Sequence, residues 1–203
     1  MTESNENVAV KLVGYFLIGS VIYFLLNGFS LRLDIDNLMK SAFIDIVVYA
    51  LLEFTFDRWL WKIKVIKVIL RIKTPYIHGR WKGYIKSSYD DFKTKIPIVI
   101  EIHQRYKSTK LLYYDKRAIS HGLITVFAIE EGSPPKLFCI YHNEPIIAFK
   151  KELQMHYGTM ILTLHNNETK MSGVYFNFPL QRSTYGELYA ELKDRKLRHC
   201  FEE

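Results

Sequence analysis

The sequence predicts a membrane-anchored all-β protein, with two N-terminal transmembrane helices followed by an eight-stranded up-and-down antiparallel β-barrel. Three observations carry this. Both long apolar stretches, residues 8–29 and 41–61, lie in the first part of the chain. A basic segment follows, in which Lys62, Lys64, Lys67, Arg71 and Lys73 meet no acid. From Thr74 onward the chain turns to short β-rich runs separated by turn signals. The expected division is residues 1–73, spans plus juxtamembrane segment, and residues 74–203, the barrel.

The first apolar stretch contains one charge, Lys11. At roughly 1.5 Å rise per residue it spans about 33 Å, enough for the hydrocarbon core. A cleaved signal peptide fits less well. No basic cluster precedes the stretch, and no small-residue cleavage site follows Asn27-Gly28-Phe29. The second stretch is interrupted by Asp45 and Glu53, so a buried soluble helix is its alternative reading. Trp59 and Trp61, followed by lysines, look like an interfacial belt and favour a span. The short loop between the stretches carries Asp34 and Asp36, whereas the basic segment follows the second. The positive-inside rule then expects both termini and the barrel in the cytoplasm. Asp45 and Glu53 lie eight residues apart, on one helix face. They either snorkel from the ends of a shifted span or form a polar seam for self-association. The segment WKIKVIKVILRIK reads as a membrane-surface helix or an extension of the second span.

The barrel strands follow in order. GRWKGYIKSS (79–88) opens the domain. The run 96–106 alternates cleanly, with Ile96, Ile98, Ile100 and Ile102 on one face. Runs 109–118 and 122–131 come next, before the turn Gly132-Ser133-Pro134-Pro135. Runs 136–143 and 156–165 flank a longer link that could hold a turn of helix. Asn166-Asn167 signals a tight turn before 168–178, and 183–193 closes the set. Eight sequential strands suit a small barrel, whose interior is filled by side chains or holds one small ligand. Gly79-Arg80-Trp81 resembles the opening of lipocalin-like barrels, which implies that Trp81 plugs the closed end.

Other chemistries lack their signatures. Cys139 and Cys200 have no partner at ligand spacing, so neither a disulfide framework nor a metal site is expected. No Gly-rich phosphate loop, HExxH or GxSxG occurs, the seven histidines are scattered, and no enzyme is expected. The net charge of +7 arises beyond the apolar stretches, since residues 1–60 are net acidic.

The whole arrangement, with His78-Gly79-Arg80-Trp81-Lys82-Gly83-Tyr84, Tyr141-His142-Asn143-Glu144-Pro145, His156-Tyr157-Gly158-Thr159 and the runs 172–176 and 182–187, resembles one family. These are the two-transmembrane β-barrel effectors of bacterial CBASS anti-phage systems, associated with CD-NTase nucleotidyltransferases. The resemblance implies that the barrel binds a cyclic di- or oligonucleotide made by a CD-NTase. It further implies oligomerisation through the membrane helices, disruption of the inner membrane and death of the infected cell. Membrane lipid and further copies of the chain are then the partners, with no nucleic acid polymer and no cofactor.

Such a ligand needs stacking surfaces, phosphate donors and a concave site. Tyr141 and Asn143 share a strand face with Cys139, and Tyr175 shares one with Asn177. His156 begins the sixth strand, Arg182 lies in the turn after the seventh, and Thr184 lies at the head of the eighth. These seven are the expected ligand-binding residues. Aromatics make up 15% of the chain, so each tyrosine taken singly also reads as core filler. The opposite parity, with Val174, Phe176 and Phe178 inward, stays open for the seventh strand. The second functional reading is a membrane-tethered lipocalin-like barrel for an apolar ligand such as a fatty acid. Inward Asn143, His156, Asn177 and Arg182 favour the nucleotide. An interior of Ile98, Ile100, Met160 and Leu162 alone favours the lipid.

Overall fold

The computed structural model describes residues 35–165, 168–178 and 183–201. The first expected span, residues 8–29, lies outside them, as do Arg182 and the Asn166-Asn167 turn. Two units are distinguished, Met1–Trp61 and Lys62–Glu203.

The first unit contains helix α1, Ile35–Arg58. Ile46, Leu51 and Phe54 on it are at least half exposed. Its 24 residues are long enough to span, yet among the described residues no helix is both long and apolar enough to cross a membrane. The second stretch is thus helical as expected, but it is not a clean span. Lys40, Asp45, Glu53 and Asp57 break its apolar run, and each carries an insertion cost in lipid.

The second unit opens with a separate short helix α2, Lys64–Ile69. It is no continuation of α1, because Ile63 is extended (φ −72°, ψ 124°). The helix ends in a Schellman arrangement. Arg71 takes φ 49°, and the Ile72 N–H donates to Lys67 O at 2.8 Å.

Eight strands then close into a barrel in strict chain order. They are β1 Gly79–Ser87, β2 Ile96–Gln104, β3 Thr109–Tyr114, β4 Ala118–Ala128, β5 Lys136–Pro145, β6 His156–His165, β7 Lys170–Asn177 and β8 Tyr185–Asp194. Every pair is antiparallel, and β8 closes on β1 with Trp81 opposite Leu192 and Ser87 opposite Gly186. The third and fourth strands differ from expectation. The chain turns at Asp115-Lys116-Arg117, inside the run read as one strand. There Asp115 Oδ1 accepts the N–H groups of Arg117 (2.6 Å) and Ala118 (3.0 Å). The long link after β5 holds one 3-10 turn, Ile147–Phe149.

Strand alternation places one row inward and one outward. Ile98, Ile100 and Ile102 join Trp81, Leu137, Leu162 and Met171 in the core. Trp81 is fully buried, and its indole N–H donates to Ile77 O at 3.0 Å. An interfacial role for this Trp is therefore excluded. These residues fill the end where β1 starts. In β7, Tyr175 and Asn177 are buried, whereas Val174 and Phe176 stay nearly half exposed, which fixes the parity left open above.

One outward pair is buried too. Arg80 Nη1 donates to Glu101 Oε1 at 2.6 Å, and both side chains are only 1% exposed. The C-terminal segment roofs them. Backbone N–H groups of Arg198 (2.8 Å) and His199 (3.0 Å) donate to the Glu101 carboxylate, and Arg80 donates to Cys200 O (2.8 Å).

Candidate functional site

A cavity of about 530 Å3 opens at the barrel end opposite Trp81. Its volume falls within the range of small-molecule sites, about 300–1,000 Å3. It exists because the inward row changes character along the barrel axis. Near Trp81 the row is wholly apolar and packed. Toward the other end it presents Ser120, Asn143, His156 and Asn177, all buried.

These polar groups are paired across strands. Tyr141 on β5 donates its hydroxyl to Asn177 Oδ1 on β7 at 2.7 Å. Asn177 Nδ2 donates onward to Thr184 Oγ1 at 2.6 Å. Asn143 Nδ2 donates to Ser120 Oγ on the neighbouring β4 at 2.8 Å. His156 Nδ1 lies 3.0 Å from Gln154 O, so this nitrogen carries the proton and donates. The arrangement is a cradle of amides and hydroxyls with fixed orientations, set into an otherwise apolar cup.

Four tyrosines line the cavity: Tyr113, Tyr141 and Tyr175 within it, and the exposed Tyr89. Two of them sit opposite glycines. Gly158 pairs with Tyr141, and Gly186 with Tyr175. A Cβ on Gly158 would run into the Tyr141 ring and hydroxyl. A Cβ on Gly186 would come within 2.6 Å of the Tyr175 ring. Each ring therefore lies over its glycine, close against the barrel wall. Burial raises the phenol pKa of Tyr113 and of Tyr141 above the ordinary value, so both stay neutral donors.

The rim is charged. Lys95, Lys116 and Arg117 line it, joined by Asp90 and Asp115. Burial raises the carboxyl of Asp115 above the usual carboxylate range, against the two backbone N–H groups that favour its charged form. The expected residues Tyr141, Asn143, His156, Tyr175, Asn177 and Thr184 all line this one cavity. Arg182 lies outside the described residues. The expectation did not include Tyr113, Ser120 or the rim cations. The Asp-Lys-Arg turn was their available signal, and it was hidden by reading 109–118 as one strand.

Residues 72–191 match the family model described as Cap15, cyclic dinucleotide receptor domain. The chain belongs to this family of CBASS effectors. The match covers the barrel almost entirely, so the cavity belongs to the matched Cap15 region. CD-NTase-associated protein 15 of Staphylococcus schleiferi is 26% identical over 197 residues, which cover 95% of this chain and 97% of that protein. A Cap15 domain is a receptor for a cyclic dinucleotide. The resemblance carried by the sequence motifs pointed to the same family.

Proposed function

We propose that the chain is a membrane-associated receptor-effector, without catalysis, whose barrel binds a cyclic dinucleotide from a CD-NTase through the open cavity. One observation carries this reading: buried, oriented polar groups and wall-lying tyrosine rings share a cavity with a rim that carries Lys95, Lys116 and Arg117 beside Asp90 and Asp115. Bases stack on Tyr141 and Tyr175, while Asn143, Asn177 and His156 meet their polar edges. Phosphates lie toward Lys95, Lys116 and Arg117, and Arg182 is the further phosphate donor that the sequence offers. A fatty acid would cover with methylenes whatever amide and hydroxyl valences the cradle's internal bonds leave over, at a cost of about 1–3 kcal/mol for each one left unsatisfied.

Binding then favours clustered protomers over dispersed ones, the difference in affinity between the two states being the driving force. The N-terminal region, in the inner membrane with the barrel on the cytoplasmic side, transmits clustering to the bilayer and disrupts it. The exposed apolar side chains of α1 support a covered environment, and Asp45 and Glu53 supply a polar seam between copies. The test is titration of the purified protein with cyclic di- and trinucleotides. Arg182→Ala should weaken binding by about 1.5–3 kcal/mol, the scale of a charge-assisted hydrogen bond. Tyr141→Ala should cost about 1–3 kcal/mol through lost stacking. Saturable binding of a fatty acid, with no response to any cyclic nucleotide, would replace this reading by the carrier.

A further inference from the structure

The closed end of the barrel carries a concentration of positive charge that the ligand cavity does not use. Its centre is Tyr76. Lys62 Nζ lies 5.3 Å from the ring centroid and the Arg195 guanidinium 4.8 Å from it. Arg195 also donates to Tyr76 O (3.2 Å) and His78 O (2.6 Å), which fixes it there. His78 stacks on Tyr76 and meets His103 edge-on at 5.7 Å. His103 faces Lys110 across the β2–β3 pairing, and Arg105 begins the loop between them.

The neighbouring acids are committed elsewhere. Glu101 holds Arg80, accepts two tail amides and lies 3.5 Å from His199. Glu168 accepts the Tyr76 N–H and faces Lys67, and Asp194 reaches Arg198. Burial comes first, and the fields of Lys62, Arg105, Lys110, Arg195 and His199 add to it, in holding both imidazoles below the ordinary value. His78 Nδ1 moreover accepts the Gln104 N–H at 3.2 Å, which protonation there would forfeit. The cations thus crowd one another with little compensation.

A second feature adjoins this patch. Helix α2 exposes Val65, Val68 and Ile69, which share one face, at 65–77% exposure. Lys64, Arg71 and Lys73 beside them are exposed too. A nucleic acid would use the cations and leave these aliphatics in water. The interface of an anionic bilayer uses both, aliphatics at the acyl boundary and cations among the headgroups.

We infer that the closed end of the barrel, with α2, is a docking face for anionic phospholipid. The inference rests on the membrane reading above and adds a second contact to it: the barrel itself sits on the headgroups. The open mouth lies at the opposite barrel end, so a barrel seated this way keeps its cavity toward water.

The test uses the full-length chain in nanodiscs of phosphatidylcholine alone or of phosphatidylcholine mixed with phosphatidylglycerol. A fluorophore is placed in the β2–β3 loop by Lys107→Cys in a Cys200→Ser background, and headgroup-proximal spin-labelled lipid serves as quencher. Quenching should appear in the mixed discs, be weak in phosphatidylcholine, and fade in molar salt, where the Debye length is about 3 Å. Arg105→Glu with Lys110→Glu should abolish it. The milder Arg105→Gln with Lys110→Gln should reduce it and covers the case in which charge reversal disturbs folding. Quenching equal in both lipids, or unaffected by salt and by both variant pairs, would overturn the inference. So would a stronger fluorescence response to a short RNA duplex than to phosphatidylglycerol. Cyclic dinucleotide titration of the same discs keeps the two readings apart. The charge variants should bind nucleotide as the parent does, and a parent that binds none removes the receptor reading while leaving the lipid result standing.

Discussion

Asp115 shows how one side chain at the rim serves the turn at the expense of the charge balance. Its carboxylate caps two backbone N–H groups, and burial raises its pKa. A raised folded-state pKa means that stability is fully present below the unfolded value and is lost as pH rises through the folded one. Asp115→Asn retains an acceptor for the turn and removes the charge. The variant should therefore match or exceed the parent in Tm at neutral pH, with any gap closing as pH falls below the carboxylate range. It should also bind an anionic ligand a few-fold more tightly at neutral pH, the rim then repelling phosphate less. Melting curves and titrations at two pH values check both. Asp115 was not legible as a site residue, because its place at the mouth depends on where the β3–β4 hairpin turns. Tyr141 with Asn143, and Tyr175 with Asn177, were legible, because period-2 spacing puts each pair on one face whatever the register.

Between neighbouring strands, the pairing of tyrosine with glycine gives the cavity its walls. Gly158→Ala would drive a methyl group into the Tyr141 ring and break its bond to Asn177. The expected cost is about 1–3 kcal/mol in stability, as for other overpacked sites, together with loss of ligand binding. Adding Tyr141→Ala removes the obstructed ring. The two losses of stability should therefore fall short of additivity, which a double-mutant cycle in denaturant measures. Six of the eight strands were legible to within two residues at each end. β3 and β4 were the exceptions, β3 read on to 118 where the structure ends it at 114, and β4 begun at 122 where the structure begins it at 118. Their misplacement has a local cause, since Asp-Lys-Arg carries no Gly or Pro turn signal and its turn is fixed by the bonds that Asp115 makes. The glycine–tyrosine pairs depend on cross-strand register, which alternation along one strand does not contain. The same holds for the closure of β8 on β1.

For the molecule as a whole, the proposed division of labour makes two measurements decisive. The barrel, residues 74–203, expressed without the N-terminal region should be harmless to cells, and toxicity from it alone would shift the effector role into the barrel. In the full chain, ligand should raise the oligomeric state and make liposomes leak. Asp45→Leu with Glu53→Leu should leave ligand binding intact and weaken leakage, as read by cross-linking and dye release. Unchanged leakage would remove the polar seam. At this scale the order of apolar helix, basic segment and barrel was legible from composition. The burial of Arg80 and Glu101 was not, because the groups that roof them arrive about a hundred residues later.

That roof bears on where the folding unit ends. The family match stops at residue 191, inside β8, whereas the amides that satisfy Glu101 belong to residues 198 and 199. A gene trimmed to the matched boundaries would leave an ion pair built for a dry setting without its cover. Each lost hydrogen bond to a charged group is worth about 1.5–3 kcal/mol, so losing several takes a large share of a small domain's stability. The homology boundary and the thermodynamic boundary of this domain are therefore different places on the chain. The same reasoning advises against inserting a reporter directly after Cys200, because residues 198–200 serve as the lid of an electrostatic box.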